Sequence, residues 1–144
     1  MIMSEQPLNL TPTRPYLTRA MYEWICDNQL TPYILVDATQ PSTMVPEQFI
    51  QNGQIVLNIL PSAVHALNMS NDTITFSARF GGVSRDIYIP FSSLLGIYAR
   101  ENNQGLFFDP SEYEHIQTQE NDLKSNNQEE KQPAKKKSSL RLLD

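Results

Sequence analysis

The chain has 144 residues, of which 40% are hydrophobic, with a formal net charge of −5; that is room for one ordinary core, or for a smaller core followed by a tail. Residues 1–114 hold five basic side chains, eleven acidic ones and no lysine, whereas 115–144 hold six basic and five acidic. An acidic folded region is a poor match for a phosphate backbone, which demotes nucleic acid as a partner.

Residues 1–13 read as an N-terminal arm without the basic flank and apolar run of a secretory signal. One amphipathic helix is expected at about Arg14–Asn28, with Thr13 as cap, Pro15 in the first turn, Asn28 at the end and Pro32 barring continuation. Leu17, Ala20, Met21, Trp24 and Ile25 recur at spacings of three and four as a single apolar stripe. Such a stripe has to be covered, by the chain's own sheet or by another subunit.

After Thr31-Pro32 the texture changes to short β-branched and aromatic runs between turn residues. Strands are expected at about Tyr33–Asp37, Gln54–Leu60, Leu67–Met69, Thr73–Phe80, Arg85–Pro90, Gly96–Arg100 and Leu106–Phe108, with turns at Asn52-Gly53, Asn71-Asp72 and Asn102–Gly105. Within Thr73–Phe80 the apolar residues Ile74, Phe76, Ala78 and Phe80 alternate with Thr73, Thr75, Ser77 and Arg79, giving one buried and one wet face. The fold class is α+β: an N-terminal helix followed by a small antiparallel β domain, either an Sm/SH3-like barrel or two small sheets. The folded domain spans 14–114.

From 115 to 139 the composition is Gln, Glu, Asn, Lys, Ser and Pro, which cannot offset its ordering entropy, so a flexible linker is expected. A coil of that length spans about 25–30 Å end to end. Residues 140–144 then bring Leu140, Arg141, Leu142 and Leu143, three leucines with no local core to join, which favours docking on a partner. Lys135, Lys136 and Lys137 read as solvated, with a modest steering role for that segment.

Signs of catalysis are weak. His65 and His115 have no nucleophile motif around them, and Cys26, beside the apolar stripe, reads as a small buried hydrophobe. One cysteine permits no internal disulfide and no cysteine-rich zinc site. No Walker loop, dinucleotide fingerprint or HExxH occurs, so neither cofactor nor metal is expected. No run approaches the roughly 20 apolar residues that span a bilayer, which points to a soluble cytoplasmic protein. Arg79-Phe80-Gly81-Gly82 has the look of an RNA-binding RGG element, but a strand end running into a turn explains it better. Met44-Val45-Pro46, Phe49-Ile50, Val56–Leu60 and Phe76–Phe80 offer more apolar surface than a small barrel needs, and part of it can line a groove for an extended peptide.

Arg14-Pro15-Tyr16-Leu17, Tyr22-Glu23-Trp24, Asp27-Asn28-Gln29-Leu30-Thr31-Pro32, Gly53–Asn58, Ala78–Gly82 and Ile97–Asn102 resemble the stringent starvation protein B (SspB) family in order, over about residues 10–113. The resemblance implies a homodimeric, non-enzymatic adaptor that delivers ssrA-tagged polypeptides to the ClpXP protease. Leu17, Met21, Trp24 and Ile25 would form the dimer interface. The tag would lie in a groove within Met44–Gln48, Val56–Ser62 and Ala78–Val83, with Met44, Val45, Phe49, Val56, Asn58, Ser62, Ala78, Arg79, Phe80 and Val83 as candidate contacts. Leu140, Arg141, Leu142 and Leu143 stand where the family docks on the N-terminal zinc domain of ClpX, although the family more often has β-branched residues there. The alternative from another class is a small Sm- or OB-like RNA-binding or ribosome-associated module.

Overall fold

The computed structural model describes residues 10–113. Helix α1 (Arg14–Asp27) is followed by β1 (Pro32–Asp37), a 3-10 turn (Glu47–Phe49), β2 (Gln54–Asn58), β3 (His65–Met69), β4 (Thr73–Phe80), β5 (Val83–Pro90), a 3-10 turn (Phe91–Ser93), β6 (Leu94–Ala99) and β7 (Gly105–Phe107). The strands form two antiparallel sheets, β2-β1-β6-β7 and β3-β4-β5. Of the two architectures the sequence allowed, the pair of small sheets is the one adopted. Residues up to Phe108 make one compact unit; Asp109 begins a second, where its carboxylate accepts from the backbone N–H and hydroxyl of Ser111 at 3.0 and 2.9 Å.

The core follows from strand alternation. Ile34 and Val36 of β1, Ile55 and Leu57 of β2, Ile97 of β6, Ile74 and Phe76 of β4 and Ile87 and Ile89 of β5 are all buried. The turns carry residues suited to their backbone. Gly81 (φ +61) and Gly82 (φ +81) both take the left-handed conformation needed by a two-residue hairpin whose twist matches its strands. Asn52-Gly53 forms a second such hairpin, closed by Gln51 and Gln54 exchanging backbone hydrogen bonds of 2.8 and 3.0 Å.

The helix starts and stops where expected, but two details differ. Thr13 supplies no side-chain cap; its carbonyl accepts the first bond, from Leu17 N–H at 3.0 Å. The C-terminus closes by Gln29 in the left-handed region (φ +62), with Gln29 N–H bonded to Cys26 O and Leu30 N–H to Ile25 O.

The sequence left the cover of the apolar stripe open between the chain's own sheet and another subunit; within the chain, a different side of α1 faces in. Arg14, Pro15, Thr18 and Ile25 are buried, whereas Leu17 and Trp24 are 44% and 42% exposed. An arginine tolerates such burial because its donors find carbonyls. Arg14 donates to Phe91 O (3.1 Å) and Leu94 O (2.9 Å), and its guanidinium lies 4.8 Å from the Phe108 ring centre. Arg19 donates to Met69 O and Ser70 O at 3.2 and 3.0 Å, tying the helix to the β3–β4 turn. The apolar stripe is thus the outer face, apart from Ile25, which is 0% exposed and belongs to the core.

Candidate functional site

Between β1 and β2 the chain leaves the four-stranded sheet and touches the edge of β5 once. Met44 and Tyr88 exchange two backbone hydrogen bonds, 2.8 and 3.1 Å long. Pro46, buried, then bends the chain away, and the 3-10 turn Glu47–Phe49 follows. The separation leaves a slot of about 460 Å³ between β5 and this excursion. Val45, Ile50 and Ala38 supply apolar walls, Ile87 lies on the β5 side, and Arg85 and Glu47 bring charge.

The alternation of the β4–β5 hairpin explains why the slot is apolar yet open. Antiparallel pairing sets Phe76 opposite Ile87, Ala78 opposite Arg85 and Phe80 opposite Val83, so these six share the inward face. Phe76 and Ile87 are buried, but Val83 is 55% exposed and Ala78 and Phe80 are half-buried. Phe49 leans on Phe80 with ring centroids 5.8 Å apart, so the 3-10 turn partly roofs this end.

Of the sequence-derived candidates, Met44 and Val45 line the slot, whereas Ala78, Phe80 and Val83 share the face of Arg85 and Ile87 without lining it, and Phe49 packs on Phe80. Val56 stands elsewhere: its side chain shares the outer face of the four-stranded sheet with Leu35, and it lines a separate cavity of about 440 Å³ beside Phe49. Arg79 alternates away from Phe80 and binds Gly82 O at 3.0 Å, a brace for its own turn. Asn58 accepts from Leu60 N–H at 2.9 Å to shape the following loop, which carries the exposed Ser62. None of these last three lines the slot.

Sequence reasoning missed Arg85. The signal was present: Val83, Arg85, Ile87 and Ile89 make one face of a strand, and a cation on an otherwise apolar face marks where burial stops. Arg14, Arg19, Arg79 and Arg100 all have hydrogen-bond acceptors. Among the described residues the Arg85 side chain makes no hydrogen bond or ion pair.

Other titratable groups have structural partners. Glu101 accepts from Thr31 N–H (2.9 Å) and its hydroxyl (2.7 Å), with Arg100 at 3.1 Å, which holds its carboxyl down at about 2. Burial and the neighbouring Cys26 push the Tyr22 hydroxyl up to about 12. Burial also raises the Cys26 thiol, outweighing the Tyr22 hydrogen bond. A protonated thiol is a poor nucleophile. No cluster of metal-ligating side chains and no helix long and apolar enough to cross a membrane occurs among the described residues.

A second exposed surface lies on α1. Met21 and Trp24 line a cavity of about 560 Å³ with Gln104, Gly105 and Phe107. Phe107 stacks on Tyr98 at 5.5 Å, and Tyr98 meets Tyr33 edge-on at 5.9 Å, so the apolar surface runs from the helix onto the outer face of the sheet. The leucine segment 140–143 lies outside the described residues.

Comparison with known proteins gives this architecture a family. The model of stringent starvation protein B matches residues 12–141. A stringent starvation protein B homolog from Haemophilus influenzae is 44% identical over 145 residues, covering 93% of this chain and 97% of that protein. The helix, the two small sheets and the slot beside β5 therefore belong to a member of the stringent starvation protein B family.

Proposed function

We propose that the chain is an adaptor that captures ssrA-type degradation tags as extended peptides in the β5 slot and tethers them to the ClpXP protease through residues 140–143. The observation that carries the first half is the slot itself. An apolar channel beside an unpaired strand edge, with an unengaged arginine, suits a peptide backbone better than a compact metabolite. Tethering requires no bond chemistry: it raises the local concentration of substrate at the unfoldase.

The second half rests on the sequence of the tail. Burying a leucine is worth roughly 1.5–3 kcal/mol, and losses of freedom on docking leave each tail a weak grip. Two tails acting together overcome that weakness, and the outward face of α1 offers a surface for the second copy. Leu17, Met21 and Trp24 are its anchors; Ile25 is not, being already consumed by the core.

Fluorescence anisotropy of a labelled ssrA-type peptide, with a scrambled control, tests capture. The intact chain binds the tag and ignores the control, and equal affinity for both would refute the reading. Deleting Leu140–Asp144 leaves that binding unchanged and abolishes enhanced degradation by ClpXP. Equilibrium sedimentation at micromolar concentration gives a dimer.

A further inference from the structure

Resting on that peptide-binding reading, we infer that the cargo peptide joins the three-stranded sheet as a fourth strand, through the backbone groups of Ser84 and Asp86 on the free edge of β5.

The pairing pattern fixes which groups are available. In an antiparallel hairpin closed by two residues, the pair flanking the turn exchanges hydrogen bonds, and thereafter every second pair does. Phe80 with Val83, Ala78 with Arg85, Phe76 with Ile87 and Ile74 with Ile89 therefore use the backbone groups of β5 that face β4. The N–H and C=O groups of Ser84, Asp86 and Tyr88 point the other way. Tyr88 confirms the phase, because both of its outward groups are taken by Met44. Ser84 and Asp86 repeat that geometry along the same edge, and among the described residues no strand other than β4 pairs with either.

The edge is bounded at both ends. Met44 occupies it at Tyr88, and the Gly81-Gly82 turn ends it beyond Val83. What remains is a window about 7 Å long between Ser84 and Asp86 at the usual strand rise, opening on the slot of about 460 Å³. A strand there has two residues whose backbones bond to β5, separated by one whose side chain shares the inward face with Arg85 and Ile87. That middle position favours a side chain able to accept from a guanidinium. The two flanking side chains point outward beside Asp86, where carboxylates are disfavoured. Unpaired edges invite such additions, and the short, bounded window keeps this one from recruiting long strands of other proteins.

The test uses the full chain and an ssrA-type peptide N-methylated at one backbone nitrogen at a time, read by anisotropy. N-methylation removes a donor and blocks close approach. Binding falls at least tenfold at two positions two residues apart and stays within about twofold at the position between them. In the same complex, hydrogen exchange slows at least tenfold at the Ser84 and Asp86 amides. The Arg85 and Ile87 amides, already bonded to β4, change far less. An unmodified peptide that binds while every N-methylated one binds equally well, with Ser84 and Asp86 exchanging freely, overturns strand addition and leaves peptide capture standing. Failure of the unmodified peptide to bind overturns both.

Discussion

The two halves of the β4–β5 hairpin share one face and the same alternation, yet they do different work. Ile74, Phe76, Ile87 and Ile89 are buried; Ala78, Phe80, Val83 and Arg85 continue the pattern half-buried or exposed. Burial falls away toward the Gly81-Gly82 turn, where Phe49 of the excursion leans on Phe80. The apolar face thus extends beyond what stability requires, and that surplus is available for binding. Burial, not residue type, separates core from site.

Truncation of each half sharpens the contrast most. Phe76→Ala opens a cavity in the closed half and destabilises the fold by about 3–5 kcal/mol in chemical denaturation. Phe80→Ala costs only about 1 kcal/mol but weakens tag binding at least tenfold. Equal losses of stability would erase the distinction.

Arg14→Leu comes next. It removes the donors that serve the Phe91 and Leu94 carbonyls; the Phe91 oxygen keeps the Leu94 N–H, so the loss of these buried hydrogen bonds costs about 1–3 kcal/mol in all. Tag affinity, measured well below the melting temperature, should not change.

Gly82→Ala is milder. A methyl group there meets nothing within 4 Å, so only the left-handed backbone resists it, at a cost of about 1–2 kcal/mol. Because the turn positions the open half, binding should weaken several-fold while the thermal transition shifts by a few degrees.

The smallest effect is in pH. The folded state holds Glu101 at about 2 against an ordinary 4.5, favouring its charged form. Its contribution to stability is therefore complete above pH 4.5 and disappears as pH falls through about 2. Thr31→Val, which removes the hydroxyl donor, should make stability less steep across that window in acid titrations. Tag binding at neutral pH should be untouched, since Thr31 and Glu101 lie outside the slot.

Much of this was legible in the sequence because it depends on local chemistry. Pro15 and Asn28 bracket the helix, Asn52-Gly53 and Gly81-Gly82 fix the hairpins, and period-two alternation places the strands. The orientation of α1 was not legible. Its apolar stripe left open whether the chain's own sheet or another subunit covers it, and gave no sign that the interior takes Arg14 and Thr18, whose donors are satisfied by backbone carbonyls at the Phe91–Leu94 turn and at Arg14 itself. Hydrophobic periodicity cannot register acceptors supplied by distant loops. Of the candidate contacts that the resemblance implied, Met44 and Val45 line the slot beside β5. Val56 lines a different cavity, since the two sides of β2 depend on which sheet it joins. The alternation of β5 did not show the place of Arg85 in the slot, which exists only because the chain leaves the β5 edge after Met44.

Amide chemical-shift mapping of the intact chain during titration with an ssrA-type peptide probes the slot most directly. The largest shifts should cluster on Val45–Phe49 and Phe80–Ile87, with the outward face of α1 silent. Shifts centred on Leu17, Met21 and Trp24, with β5 unmoved, would contradict the account.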